Sequence, residues 1–431
     1  MKRTWLWVLA VFACLFLALA WFIGREFVGG LVTHTQKRSE ATPEHIERGE
    51  YLARIGNCAG CHTARGAEPY AGGRAVETPF GAVFAGNLTP DVATGIGGWD
   101  SRAFYRAMTL GRSRDGRMLY PAFPYPNFSQ MTRDDSDALF AYLINGVKPV
   151  ARINTAHTLQ FPFDSQLALA VWRALYFKPK TFQSESAQSA DWNRGAYLVQ
   201  GLAHCGACHS TRNALGAPVA GHAYNGAMMP GNDWYAPSLT AASEASVADW
   251  SLAEISAWLK DGATPKASAL GPMAEVIFQS TQYANNADLL AMATYLKALP
   301  SVEPSRSSSA PTKLITRGNT EGAGAKLYGK HCANCHGENG EGKADAFPAL
   351  AGNRAVTMAN ATNVISIIIK GGFAPATTGN PRPHGMPPYY HLLSDADIAQ
   401  LATHIRSSWG NAASAVTELG LVKYRNGLRG P

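Results

Sequence analysis

One five-residue pattern occurs three times in this chain: Cys58-Ala59-Gly60-Cys61-His62, Cys205-Gly206-Ala207-Cys208-His209 and Cys332-Ala333-Asn334-Cys335-His336. Six of the seven cysteines fall in it, and the seventh is Cys14. Positions three and four apart share a face of a helical turn, so each run presents two thiols and an imidazole together. Whatever the chain folds into must leave room beside three such turns.

That face suits one haem c. Two thiols can add across the two vinyl groups and tie the porphyrin covalently, while the imidazole reaches the iron from the proximal side. A zinc ribbon would want a second Cys or His pair per run, and a thioredoxin-like pair would want a βαβ setting. Neither is visible, and three pairs that each end in His do not read as disulfides. The reading is three covalently bound haem c groups, on Cys58 and Cys61, Cys205 and Cys208, and Cys332 and Cys335, with His62, His209 and His336 as proximal iron ligands.

A chain of 431 residues has room for one module per haem, in tandem. With 42 glycines, 25 prolines and only 16% charged residues it should be compact and loop-rich, with haem supplying much of the apolar core. Long strands are not expected. The formal charge of +7 is partly offset by haem propionates, more so when the irons are reduced than when they are ferric, so basicity is weak evidence for any partner, and no nucleic-acid patch is visible. No Rossmann glycine fingerprint, P-loop or nucleophile with a base appears. The chemistry available to the chain is that of its haems.

Lys2 and Arg3 precede an apolar run from Trp5 to Ile23, long enough for a signal sequence or a membrane span. Basic residues at the start put the N-terminus inside and the haem modules outside. Ala18-Leu19-Ala20 has the form of a cleavage site, but the run continues through Trp21, Phe22 and Ile23, which favours a retained anchor. Cys14 reads as an ordinary residue of that run rather than a lipidation site.

Thr42-Pro43-Glu44 reads as an N-cap, a proline at the first helical position and an early acid. The helix it starts carries Arg48-Gly49-Glu50-Tyr51-Leu52, repeated as Arg194-Gly195-Ala196-Tyr197-Leu198 and shortened to Gly324-Ala325-Lys326-Leu327-Tyr328. A small residue before an apolar and aromatic pair is what a close helix crossing needs. Trp99 to Gly111 and Trp250 to Gly262 bracket a short helix in the first two modules, with Asn363 to Gly371 as the third version. Gly86-Asn87-Leu88, Pro237-Ser238-Leu239 and Pro348-Ala349-Leu350 occupy matching places. Thr132 with Asp135, and Ser394 with Asp397, read as capping-box variants opening a module's last helix.

The predicted boundaries are an anchor or signal with its stalk over 1–41, haem modules over 42–147, 186–300 and 314–410, an apolar linker over 148–185, a Ser/Pro linker over 301–313 and a tail over 411–431. The apolar linker, with Trp172, Leu175, Tyr176 and Phe177, should pack between modules or against a partner rather than float in water.

The modules resemble class I cytochromes c, which implies a mainly α fold of three tandem domains after the N-terminal anchor or signal helix; in that class a methionine in a loop before the last helix fills the sixth iron position. Met386 in Gly385-Met386-Pro387-Pro388-Tyr389 and Met273 in Gly271-Pro272-Met273 fit that place, each eight positions ahead of the expected helix start at Ser394 or Thr281. In the first module Phe123 stands where Met is expected. Met118 is taken as the ligand, with Met131 as the alternative; if neither binds, the first iron has an open position.

The three runs, their order, Arg48-Gly49-Glu50-Tyr51-Leu52, Thr78-Pro79-Phe80-Gly81, the loop Leu119-Tyr120-Pro121-Ala122-Phe123-Pro124-Tyr125 and Gly201-Leu202-Ala203-His204-Cys205 resemble the triheme cytochrome c subunits of membrane-bound periplasmic dehydrogenases, over roughly residues 45 to 410. The resemblance implies a subunit at the periplasmic face of the bacterial inner membrane. It would accept electrons from a catalytic subunit of molybdenum, flavin or quinone-cofactor type, with or without a small subunit, and pass them to ubiquinone or a terminal oxidase. Substrate oxidation, of an alcohol, aldehyde, sugar or sugar acid, would belong to that partner. Phe123 resembles the form paired with molybdenum-containing aldehyde or N-heterocycle dehydrogenases. Two other readings remain: a freestanding haem enzyme or sensor with an open first haem, and a carrier that docks transiently.

Overall fold

The computed structural model describes residues 41–301 except Asn232 and Pro265, residues 320–421 except Asp345, Tyr424, and Trp5, Trp7, Leu17, Trp21, Gly24, Glu26 and Phe27 near the N-terminus. Most of the apolar run, Cys14 included, and the Ser/Pro linker lie outside the described residues. No helix among the described residues is long and apolar enough to cross a membrane.

One order of helices recurs three times. It begins with Pro43–Ile55, with Ala190–Ala196 running on into a π-helical turn Tyr197–Leu202, and with Thr320–His331. A short helix with the cysteine motif follows: Cys58–His62, Gly206–His209 and Ala333–His336. Ser101–Leu110, Leu252–Asp261 and Thr362–Lys370 come next, and Arg133–Asn145, Asn286–Lys297 and Asp395–Ser407 close each round. The strands are short: four antiparallel pairs among the described residues, the longest pairing Ala75–Thr78 with Gly81–Phe84 from Ala75 opposite Phe84 to Thr78 opposite Gly81. The protein is mainly helical, as the resemblance to class I cytochromes c implied.

The local causes are in the sequence. Each middle helix stops at a glycine with positive φ, 58° at Gly111, 67° at Gly262 and 63° at Gly371, a backbone that side chains resist. The last helices start on side-chain caps. Thr132, Asn285 and Ser394 accept from the backbone N–H of Asp135, Asp288 and Asp397. Of these three, Ser394 with Asp397 forms the full reciprocal box. Asp135 and Asp288 instead turn to arginines on the first helices. Arg48 donates to Asp135 at 2.5 and 3.0 Å, and Arg194 to Asp288 at 2.8 Å through both Nε and Nη2. The second closing helix therefore starts after Asn285 and not at Thr281, which opens a separate 3₁₀ turn, Thr281–Tyr283.

The chain folds into two compact units. One comprises the described residues of Met1–Ala53 with Cys61–Gln183 and Asn213–Pro218; the other comprises Arg54–Gly60, Ser184–Arg212 and Val219–Pro431. In the first, the helix Gln166–Tyr176 buries Leu169 and Ala170 with Met118. In the second, Leu421 and Tyr424 of the tail are buried in one core with Tyr328, Ile365, Ile368, Ile398, Leu401 and Ile405. The tail is thus part of the packing of the third round.

Candidate functional site

Each proximal histidine is held the same way. His62 Nδ1 lies 2.7 Å from the carbonyl of Gly86, His209 Nδ1 2.7 Å from that of Pro237, and His336 Nδ1 2.9 Å from that of Pro348. A carbonyl can only accept, so Nδ1 carries the hydrogen and the lone pair is left on Nε2. A metal-ligating imidazole needs that tautomer and that orientation. Burial pushes all three imidazoles below the ordinary histidine value, while the carbonyl bond pulls the other way.

The three acceptor carbonyls are the first residues of Gly86-Asn87-Leu88, Pro237-Ser238-Leu239 and Pro348-Ala349-Leu350, the places that matched in sequence. Each is braced from behind. The backbone N–H of Asn87 donates to the Asn154 side-chain oxygen at 2.7 Å, and its side-chain amide donates to Val150 O at 2.8 Å. The backbone N–H of Ser238 donates to Glu244 at 2.7 Å, and its hydroxyl to Tyr224 O at 3.2 Å. Asn411, from the tail, donates to Leu350 O at 3.0 Å and accepts from Gly352 N–H at 2.8 Å. The sequence reading missed these braces. They come from the linker, a loop acid and the tail, and no motif spacing marks them.

Cys58, Cys61, Cys205, Cys208, Cys332 and Cys335 form no disulfide. Burial first, and the neighbouring thiol second, pushes Cys205 up to about 12 and Cys332 up to about 11; burial also raises Cys208. Two cysteines that form no disulfide beside an imidazole with its lone pair on Nε2 are the donor set that covalent haem attachment uses, so these residues fit haem c. The backbone before two of the motifs is tightly wound. Asn57 and His204, immediately ahead of Cys58 and Cys205, have φ of 51° and 40°. Tyr197–Leu202 is a π-helical turn, a form that gathers at functional sites.

The methionines sit in different settings. Met273 is the third residue of the helix Gly271–Gln279, not of a loop, because Pro272 at the first turn favours a helix start. Met386 is in the two-residue strand Gly385–Met386, paired with Gly372–Phe373. Both are partly exposed, whereas Met118 and Met131 are each 3% exposed. Met118 is also pinned through its backbone, with its N–H donating to Gln166 Oε1 at 2.9 Å and its carbonyl accepting from Gln166 Nε2 at 3.2 Å.

Comparison with known proteins agrees with this chemistry. The cytochrome c family matches residues 46–146 and 322–409. The cytochrome c subunit of the quinone alcohol dehydrogenase of Gluconacetobacter polyoxogenes is 38% identical over 394 residues, 88% of this chain and 84% of that protein. The cytochrome c subunit of gluconate 2-dehydrogenase of Pantoea cypripedii is 34% identical, covering 87% and 88%. A nicotinate dehydrogenase subunit of Pseudomonas putida is 38% identical over 84% of this chain but 30% of its own length. With tied imidazoles, cysteine pairs that form no disulfide and similarity over most of its length, the chain belongs to the family of dehydrogenase cytochrome c subunits, haem c proteins that transfer electrons within dehydrogenase complexes.

Proposed function

We propose that the chain carries three haem c groups and relays electrons through them from a catalytic dehydrogenase subunit to ubiquinone or a terminal oxidase. The single observation that carries the reading is the threefold imidazole-to-carbonyl bond at His62, His209 and His336. Cys58 with Cys61, Cys205 with Cys208, and Cys332 with Cys335 would hold the haems. Met118, Met273 and Met386 would complete the coordination, with Met131 the competitor of Met118. A haem so bound supplies a one-electron couple; the chain's residues fix the imidazole, exclude water and set the spacing. The recurring helix order supports three class I cytochrome c-like domains over 42–147, 186–300 and 314–410, joined by the linkers 148–185 and 301–313, between the anchor and stalk of 1–41 and the tail of 411–431.

Tandem modules on one chain turn a diffusional encounter between carriers into an intramolecular one. Covalent haem attachment and the basic residues ahead of the apolar run support a place at the periplasmic face of the inner membrane, with that run as a retained anchor. The relatives named for alcohol and gluconate oxidation support a partner that oxidises an alcohol, aldehyde, sugar or sugar acid. One observation favours a narrower reading: Phe123 in the first loop, with the similarity to the nicotinate dehydrogenase subunit, supports a molybdenum-containing partner acting on an aldehyde or N-heterocycle.

Purification of the tagged chain from membranes in mild detergent tests both. A stoichiometric catalytic subunit is expected, and its cofactor names the class: molybdenum with iron-sulfur for the narrower reading, flavin or quinone cofactor for the sugar and alcohol types. A chain that arrives alone, with haem only, overturns the subunit assignment.

A further inference from the structure

The helix Gln166–Tyr176 is apolar on two sides. Its inner side buries Leu169 and Ala170, and Phe177 just beyond its end packs on Tyr125 with ring centroids 4.8 Å apart. On its outer side Leu167 and Leu175 are each 58% exposed and Tyr176 38%. Val171 falls between the two leucines at helical spacing, and the exposed Lys178 and Lys180 follow the helix. A helix with apolar residues all round is one that is covered all round.

Glu26 says what lies nearby. Its carboxylate accepts from Arg173, on the buried side of this helix, at 2.9 Å and from Arg112 at 3.0 Å; its backbone carbonyl also accepts from Arg112. Both arginines are almost wholly buried, with side chains 4% and 5% exposed. Glu26 stands three residues beyond Ile23, where the apolar run ends. The tie therefore joins the linker helix to a residue that follows the apolar run by three places in sequence. Apolar side chains, Tyr176 with its polar edge, and lysines at one end make up the outer composition of an interfacial helix beside anionic headgroups, while the Trp172 indole donates to Leu215 O at 2.9 Å.

We propose that the outer face of Gln166–Tyr176 lies in the interfacial layer of a lipid bilayer, a second membrane contact beside the N-terminal run. The inference rests on the retained-anchor reading. It makes the Arg112–Glu26–Arg173 cluster a clamp that fixes the first haem module against the membrane surface.

The test uses the full-length holoprotein in nanodiscs of anionic lipid, labelled with a lipid-confined carbene reagent and, separately, with a water-soluble one, and mapped by peptide mass. Lipid-side labelling of residues 166–177 several-fold above that of the exposed loop around Val92, together with labelling of the run 5–23, is the expected result. The double variant Leu167→Glu, Leu175→Glu should lose label in 166–177 and keep it in 5–23. If 5–23 takes lipid label while 166–177 takes only water-side label, the inference fails and the anchor stands. If neither takes lipid label, the anchor reading fails and this one with it. If 166–177 is protected from both reagents, protein covers the helix and the lipid assignment is overturned.

Discussion

The backbone carbonyl of Ala291 lies 1.9 Å from where a β-carbon on Gly195 would stand. Gly49 meets Ala138 O at the same distance, and Gly324 meets Gln400 O at 2.4 Å. At all three crossings of first and last helix, backbone rests on backbone, which only glycine permits. Gly324→Ala should push the helices apart and cost about 3 kcal/mol or more. Gly329, on the same helix, has open space around it, so Gly329→Ala should gain about 0.5–1 kcal/mol from helix propensity alone. Thermal unfolding of the holoprotein separates them; equal effects would contradict the packing account.

Asp288 and Arg194 form a two-pronged pair in which the carboxylate side chain is 8% exposed and the guanidinium side chain 37%. A double-mutant cycle with alanine at both positions should give a coupling of about 1–2 kcal/mol, discounted for the exposed arginine. The third round has Ala323 at the corresponding place, and Asp397 closes the cap on Ser394 instead. Asp397→Ala should therefore cost only a cap, about 1 kcal/mol.

Glu254 gives a pH dependence with a definite sign. The contact from Lys266 at 2.8 Å, then the backbone and side chain of Ser251, hold its carboxyl down to about 2 from the ordinary 4.5. The folded protein thus binds this proton more weakly than the unfolded chain. The stabilisation is fully present above pH 4.5 and is lost as pH falls toward 2. The difference in unfolding temperature between the protein and Glu254→Gln should shrink across that window. A difference that persists unchanged below about pH 2 would refute the pairing.

Removing a sixth ligand should open one iron to carbon monoxide. Met273→Ala and Met386→Ala are each expected to add one carbon-monoxide-binding haem per ferrous chain, and Met118→Ala likewise, with Met131→Ala leaving the spectrum unchanged. Binding of carbon monoxide in the unaltered protein would instead reveal an open first haem. That result would support the freestanding enzyme or sensor.

The repeated features were legible because each has a short-range cause. The motif fixes a helical turn, Gly111 and Gly262 fix helix ends, and the Arg-Gly pairs mark the crossings. What the sequence concealed lies in long-range pairings. Arg406 sits on an amphipathic helix but is fully buried, with its guanidinium on the carbonyls of Val356, Met358 and Ser414, and nothing in its spacing signals that. The bracing of the proximal carbonyls by Asn154 and Asn411 depends on where the linker and tail return. The helical setting of Met273 follows from Pro272, which suits a loop and a helix's first turn equally well when read from spacing alone.

The central claim is that electrons from a dehydrogenase partner enter this chain and pass through its haems. Anaerobic addition of substrate to the purified complex, chosen by the partner's cofactor and followed at the reduced-haem absorption bands, tests it most directly. The account predicts uptake of three electrons per chain, with the haems reoxidised on adding ubiquinone. Haems that stay oxidised while the partner is reduced would contradict it.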